Sequence, residues 1–490
     1  MPIRPYNNNN QLFLLPPSVN EWVRPDHPAR VLSDIVDHLD VSGFRTVSTE
    51  GRPCYDPRLM LKVLLWGYAT GVRASRKIEE RLHSDVVFMW LAGLQRPDFR
   101  TICLFRKDNK PAIEGLFAQV LVVAKQLGLL KLGLVALDGT KLRASAGIGS
   151  FKKVSEWRKE LAKVQEEVRR MLADAEAQDT ADDARYGSDR SGNELPDELA
   201  DAKERVRKIE RLLGQLDAGT EETQRVSMTD PQSRYMHTQT GSQPAYNGQV
   251  VVTRDQIIVH ADVTTEPIDT NQLAPALAGV ERNTGAKPDK VVADAGYKSG
   301  PNLRLLEEAK VDGYLPETEE RNIGKLKRAY PDLYGKEVFA YDKERDCYTC
   351  LAGQTLSPKT RHKHKTKYSG GVATVYRPPS GVCLACQHLS RCTKTRAKTG
   401  RAISRDDYEE ERLRMRQKLG TDEGKAIYGE RKCIVEPTIG QLKMVGGIAR
   451  LLLRGLLGAK IEWKWSTTAH NLLKISRLVA AGTVKPVWAT

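Results

Sequence analysis

Leu134-Val135-Ala136-Leu137-Asp138-Gly139-Thr140 is an apolar run that ends in a carboxylate and meets glycine at once. A run of this length and composition reads as a buried strand. Asp138 then stands at its carboxyl end, and Gly139, free of a Cβ, lets a turn follow. Val291-Val292-Ala293-Asp294-Ala295-Gly296 repeats the order of apolar run, Asp, small residue and Gly. One such stretch says little, because many buried strands end in a turn aspartate. Two say more, because neighbouring strand ends can aim two carboxylates at one point. Glu436 supplies a third within Tyr428-Gly-Glu-Arg431-Lys432-Cys-Ile-Val-Glu436-Pro-Thr-Ile-Gly-Gln-Leu-Lys443, among basic residues. Two Asp and a Glu make a hard, all-oxygen donor set suited to Mg²⁺ or Mn²⁺.

Outward from Asp138, strand-like patterning returns at Asn247–Thr253 and Gln256–Val263, joined by a short Arg254-Asp255 turn. A helix through Leu273, Leu277 and Val280 leads into the Asp294 strand. Ser299 or Pro301 starts a further helix, Leu303 to Ala309, and Tyr314-Leu315 opens one more strand. Strand, two antiparallel strands, helix, strand, helix, strand is the element order of a ribonuclease-H-like core. This is an α/β reading with a mixed sheet, whose site is expected at the strands' carboxyl ends. The core is expected over residues 131–145 and 226–320, completed by the C-terminal helices of 401–490. Asp262 and Asp269 are the nearest rivals to the acidic set; the first reads as a strand-end polar residue and the second as a helix cap.

Three further units surround that core. Residues 1–130 read as an all-α domain: Pro28 to Leu39, Pro57 to Tyr68, a helix capped by Ser75, and Phe99 to Lys107 opened by Asp98. Short helices with tight turns, the last bearing Arg100, Arg106 and Lys107, allow a helix-turn-helix reading with DNA contact there; the alternative is a solvated basic face. Residues 146–225 interrupt the core. Val154, Trp157, Leu161, Val164, Val168, Met171 and Ala175 alternate by three and four, as do Leu199, Ala202, Val206, Ile209, Leu213 and Leu216. They read as an inserted antiparallel helical hairpin, either a brace closed on itself or a subunit contact. Residues 321–400 hold Cys347-x2-Cys350 and Cys383-x2-Cys386, then Cys392. Paired C-x2-C knuckles suit structural Zn²⁺, here by Cys347, Cys350, Cys383 and Cys386, with Cys392 as a substitute. His362, His364 and His388 lie nearby, and the Lys359–Lys367 run is basic enough to follow phosphates.

The formal charge of +15 over 490 residues points to a polyanionic partner, nucleic acid first. No signal-peptide core opens the chain, and Lys125, Gln126 and Lys131 break its longest apolar stretch, Gly115 to Leu137. A cytoplasmic protein with no membrane contact is therefore expected.

Pro437 lacks an N–H and disfavours helical geometry at Glu436, so the helix is expected to kink or restart there. Lys443 lies nearly two turns further on and shares a face with Glu436 if the helix continues. These motifs resemble the DDE transposases of bacterial insertion sequences. Asp138-Gly-Thr is similar to the first-Asp motif and Asp294-Ala-Gly-Tyr297 to the second. Tyr428, Arg431, Glu436 and Lys443 resemble the Tyr-x2-Arg-x3-Glu-x6-Lys signature. Arg431 precedes Glu436 by four intervening residues rather than three, and Lys432 occupies the signature spacing, so either is open for that role. The resemblance is closest to the branch with an N-terminal helical domain (Tyr55-Asp-Pro-Arg-Leu-Met-Leu-Lys; Pro97-Asp-Phe-Arg-Thr) and a cysteine-rich insertion before the Glu helix. It implies two Mg²⁺ or Mn²⁺ ions at Asp138, Asp294 and Glu436, and cleavage of an element's ends at terminal inverted repeats with joining to target DNA. Double-stranded DNA is the implied partner, bound by a homodimer or larger assembly at the bacterial nucleoid. A metal-dependent nuclease without strand transfer and an inactive DNA-binding regulator are the alternatives.

Overall fold

Six α-helices precede the first strand, and polar residues beside them set most of their boundaries. This computed structural model describes residues 18–45, 53–147, 149, 151–186, 197–216, 219–238, 240–316, 332–363, 371–393 and 400–486. α1 (Pro28–His38) and α2 (Pro57–Ala69) carry proline in the first turn, where its missing N–H forfeits no bond. α3 (Ser75–Ser84) and α4 (Val86–Leu91) are two helices where the sequence suggests one. Asp85 divides them, its carboxylate accepting from Val87 N and Phe88 N. Ser75 lies inside α3 rather than capping it. α5 (Phe99–Asp108) begins where the Asp98 carboxylate accepts from Thr101 N, and α6 (Ala112–Gln126) follows.

β1 (Leu134–Arg143) runs past Asp138, so no turn follows Gly139. The next elements, β2 (Phe151–Lys153), α7 (Val154–Tyr186), α8 (Asp197–Gly214) and β3 (Arg225–Ser227), form an excursion from the sheet. β2 pairs with β3 across its base, while Val154, Trp157, Ile209, Leu212 and Val226 bury one another in a small core. Of the polar stretch Asp174–Asn193, which the sequence reads as a loop between the two helices, residues 174–186 continue α7 and the remainder lies outside the described residues, as does the Ala175 side chain.

The chain then builds β4 (Arg234–Thr238), β5 (Gly241–Thr253), β6 (Ile258–Thr264), α9 (Leu273–Thr284), β7 (Lys290–Ala293), α10 (Gly300–Glu308) and β8 (Asp312–Tyr314). The strand order is β6-β5-β1-β7-β8, with β4 also paired to β5. β1 is antiparallel to β5 and parallel to β7, which is parallel to β8. This mixed sheet with its helices fits a ribonuclease-H-like core. β1 continues because β5 pairs with it from Val135 to Arg143, whereas pairing with β7 stops at Leu137↔Ala293. Asp138 thus marks the end of β7, not the end of its own strand.

The cysteine-rich segment folds as an antiparallel sheet that the sequence does not announce: β9 (Ala340–Asp342), β10 (Cys347–Thr349), β11 (Thr355–Lys363), β12 (Val372–Arg377) and β13 (Ile403–Asp406), in chain order. The short α11 (Leu389–Cys392) lies between the last two, and Phe339, Tyr348, Leu356, Tyr376 and Ile403 form the core.

α12 (Glu409–Gly420) and α13 (Asp422–Gly440) follow, the second opened by Thr421, whose hydroxyl accepts from Gly424 N. α13 passes through Pro437 without a break, contrary to the sequence expectation; the irregularity falls later, as a π-turn at Gln441–Val445. Gln441 N donates to Pro437 O and Thr438 O, which resumes the hydrogen-bond ladder beyond the proline.

The sequence reads an apolar core helix over Ala469–Val479; the last helix, α14 (Gly455–Ala480), starts well before it, and the N-terminal helices and the sheet share one hydrophobic core around it. Several of its polar residues find internal partners, although Ser466 Oγ, Ser476 Oγ and Trp465 Nε1 are buried without one among the described residues. The Arg73 guanidinium donates to Glu462, which also accepts from Leu452 N and Leu453 N, and Lys464 Nζ donates to Ala261 O. Asn471 bonds both N and O of Ile258. Trp463 and Trp465, whose place in the sequence allows either stacking on an unpaired base or burial, are fully buried, Trp463 donating to Gln249 O and Trp465 stacking on Tyr68. No described helix is long and apolar enough to cross a membrane.

Candidate active site

Asp138 and Asp294 meet because the paired residues before them, Leu137 and Ala293, are the last in the β1–β7 ladder. Burial pushes the Asp138 carboxyl up to about 6, against the nearby Arg431 guanidinium and with Asp294 adding repulsion. Burial likewise raises Asp294, opposed by the hydrogen bond it accepts from Gly296 N. Glu436 on α13 is more open, its side chain 55% exposed. Arg431 ties it to the sheet: Nη1 lies 3.1 Å from Asp138 Oδ2 and Nη2 lies 3.7 Å from Glu436 Oε1. The extra residue between Arg431 and Glu436 does not turn Arg431 away. Lys432, at the signature spacing, is exposed, and Tyr428 is half-buried beside Arg431.

These residues fit a hard divalent cation. Two partly buried carboxylates side by side repel each other, and a guanidinium already lies against one of them. No group of three or more His, Cys, Asp or Glu among the described residues stands at metal-ligand spacing. Lys443, in the π-turn, is partly buried near Asp138 and Lys141, and burial lowers its pKa. Its ammonium makes no ion pair among the described residues. A cation aimed at the acids without a fixed partner is suited to hold a phosphate.

Lys141 and Asp269 were not recognised as site residues from the sequence. Lys141 Nζ lies 3.7 Å from Asp269 Oδ1, and burial lowers its pKa. Asp269 does not cap the helical turn that follows it; its carboxylate instead turns to the sheet, accepting from Asn247 Nδ2 at 2.6 Å and Gln249 Nε2 at 2.8 Å. The available signal was Asn247 and Gln249, two amides at strand period, the second running straight into the apolar Val250–Val252. Asp262 lies apart and pairs with Lys460 at 2.8 Å.

The basic residues of α5 divide. Arg100 and Lys107 are exposed. Arg106 is buried and donates to Tyr68 Oη, Arg73 O and Ser75 Oγ, so it braces the helices and is withdrawn from DNA contact.

The cysteines also divide. Cys350, Cys383, Cys386 and Cys392 line one cavity of about 360 Å³, with His388. Burial raises Cys383 and Cys392, and neighbouring thiols add to both shifts. Cys347 is buried on β10 and does not line this cavity. Of the five cysteines considered from the sequence, the cavity therefore gathers Cys392, the substitute, with three of the favoured quartet, and does not include Cys347. His364 lies outside the described residues.

Comparison with known proteins locates two matches. Residues 17–108 match a family described as Transposase domain (DUF772), and residues 349–476 match one described as Transposase DDE domain. No curated protein and no solved structure matches the chain. The first segment takes in α1 to α5; the second runs from the cysteine-rich sheet through Glu436 into α14. Asp138 and Asp294 lie outside both. With a transposase domain matched in its N-terminal helices and a transposase DDE domain matched around Glu436, the chain is similar to the DDE transposases of the insertion-sequence type.

Proposed function

We propose that this transposase cleaves the ends of its own element at terminal inverted repeats and joins them to target DNA. The observation that carries the reading is the meeting of Asp138 and Asp294 at adjoining strand positions, with Glu436 tied to Asp138 through Arg431. Asp138, Asp294 and Glu436 would hold two Mg²⁺ or Mn²⁺ ions. When bound, these ions activate the attacking oxygen and stabilise the leaving oxygen of an in-line displacement at phosphorus. The protein's own cations complete the arrangement. Arg431 balances the acidic charge between strand and helix. Lys443 holds a backbone phosphate beside the scissile bond, and fixing that phosphate favours in-line geometry. Arg100, Lys107, Tyr428 and Lys432 contact DNA further out, and the protein works as a dimer or larger assembly on the bacterial nucleoid.

The cysteine-rich module binds a structural Zn²⁺ through Cys350, Cys383, Cys386 and Cys392. Convergence of these thiols on one cavity supports this assignment. The ion sits outside the chemistry and stabilises a small sheet whose own core has few residues.

The decisive test incubates purified protein and Mg²⁺ with labelled element ends and a target duplex. Cleavage followed by joining is expected, and Asp294→Ala abolishes both while retaining end binding. Cleavage without joining identifies a nuclease. End binding with neither reaction identifies a regulator and overturns the proposal.

A further inference from the structure

Asp269 is held against the acidic centre more firmly than a turn residue requires. Its Oδ1 receives Asn247 Nδ2 and Gln249 Nε2, with Lys141 Nζ also near. Gln249 is itself oriented by the Tyr297 hydroxyl, which donates to Gln249 Oε1. The following residue, Thr270, donates to Gly296 O at 3.0 Å, fixing this turn to the one that carries Asp294. Oδ2 accepts no hydrogen bond from the described residues.

Two glycines leave room for this carboxylate. A Cβ on Gly139 would lie 2.5 Å from Asp269 Oδ1 and 2.6 Å from Gln249 Nε2. A Cβ on Gly296 would lie 3.0 Å from Asp294 Oδ1 and 3.6 Å from Asp269 Oδ2. Asp294 and Asp269 therefore present oxygens to the same small space, and side chains at either glycine would intrude on it. Gly139 is required here by close approach, since β1 continues through it as a strand.

We propose that Asp269 is a fourth carboxylate of the catalytic metal site, presenting Oδ2 to water bound in the metal's shell beside Asp138 and Asp294. Asn247 and Gln249 anchor one oxygen so that the other faces the shell. The inference rests on the assignment of Asp138 and Asp294 as metal-holding residues. It adds a residue outside the three-acid set and gives a reason for glycine after Asp138. Outer-shell carboxylates orient metal-bound ligands, and their loss typically weakens metal binding about 10–100-fold.

Mn²⁺ binding to the full chain without DNA, followed by electron paramagnetic resonance, tests this separately from activity. Asp269→Asn keeps the side-chain shape, and Gly139→Ala displaces the Asp269 carboxylate without replacing any acidic residue. Each is expected to weaken Mn²⁺ binding about tenfold, with Asp269→Asn unchanged in thermal midpoint. If Asp269→Asn does unfold, Gly139→Ala carries the test. Wild-type affinity in both variants, when Asp294→Asn abolishes binding, overturns the role of Asp269 alone. Affinity unaffected by Asp294→Asn overturns the assignment of the site itself.

Discussion

Glu462→Gln tests whether the N-terminal helices and the catalytic core form one cooperative unit. The Glu462 side chain has 0% exposure and its Arg73 partner 7%, so neither charge is relieved by solvent. Burial raises the Glu462 pKa, opposed first by Arg73 and then by the Leu453 and Leu452 N–H groups. Arg73 also donates to Gly447 O and to Arg450 O, the latter at 2.8 Å, so one guanidinium ties the α2–α3 turn to the segment before α14. The amide keeps the shape of Glu462 but leaves Arg73 buried without its counter-charge. Removing one partner of a buried pair costs about 3–5 kcal/mol. Urea denaturation, followed by the fluorescence of buried Trp463 and Trp465, should show a lower midpoint for Glu462→Gln. Arg73→Lys should lose less, because it keeps the charge but not the planar fork. A Glu462→Gln loss below about 1 kcal/mol, the range of an exposed pair, would refute the reasoning.

Lys443→Ala should flatten the salt dependence of end binding by about one unit in log–log slope, through loss of one phosphate contact, and should slow cleavage; an unchanged slope and rate would assign Lys443 to packing. Metal analysis should find about one Zn²⁺ per chain, lost in Cys392→Ser and retained in Cys347→Ser; the reverse would restore the quartet suggested by the sequence. His260 and His470 are each held down to about 4 by burial. Unfolded histidines take up protons below about 6.5, whereas these do so only near 4, so stability is full above about pH 6.5 and falls as pH drops toward 4. Each contributes about 3 kcal/mol over that window, and His470→Gln should make the acid side of the stability–pH curve shallower.

Local chemistry made much of the architecture legible. Pro28, Pro57, Asp98, Ser299 and Thr421 mark helix starts within one turn, where side chain and backbone satisfy each other without distant help. The same holds for the apolar runs before Asp138 and Asp294, since continuous burial is written into consecutive residues. α14 was legible only in its later part. Glu462, Lys464, Ser466, Thr467, His470 and Asn471 make its sequence look half polar, yet all are buried. Several of their partners lie hundreds of residues away, beyond the reach of any local pattern.

The sequence by itself determined three carboxylates, their oxygen-donor chemistry and the element order that brings two of them to adjoining strands. Only the tertiary structure decided which neighbours those acids have. Arg431 rather than Lys432 faces Asp138 because helix rotation, not spacing in a signature, sets direction. Arg106 is spent inside the helical domain, although its charge in the chain looks like that of exposed Lys107. Cys392 lines the cavity with Cys350, Cys383 and Cys386, whereas Cys347, one residue of a C-x2-C pair, is buried on a paired strand and does not. Asp269, a helix cap by local rules, joins the acidic centre because Asn247 and Gln249 draw its carboxylate across the sheet. In each case residue type is a local fact, whereas side-chain direction depends on packing between segments remote in the chain.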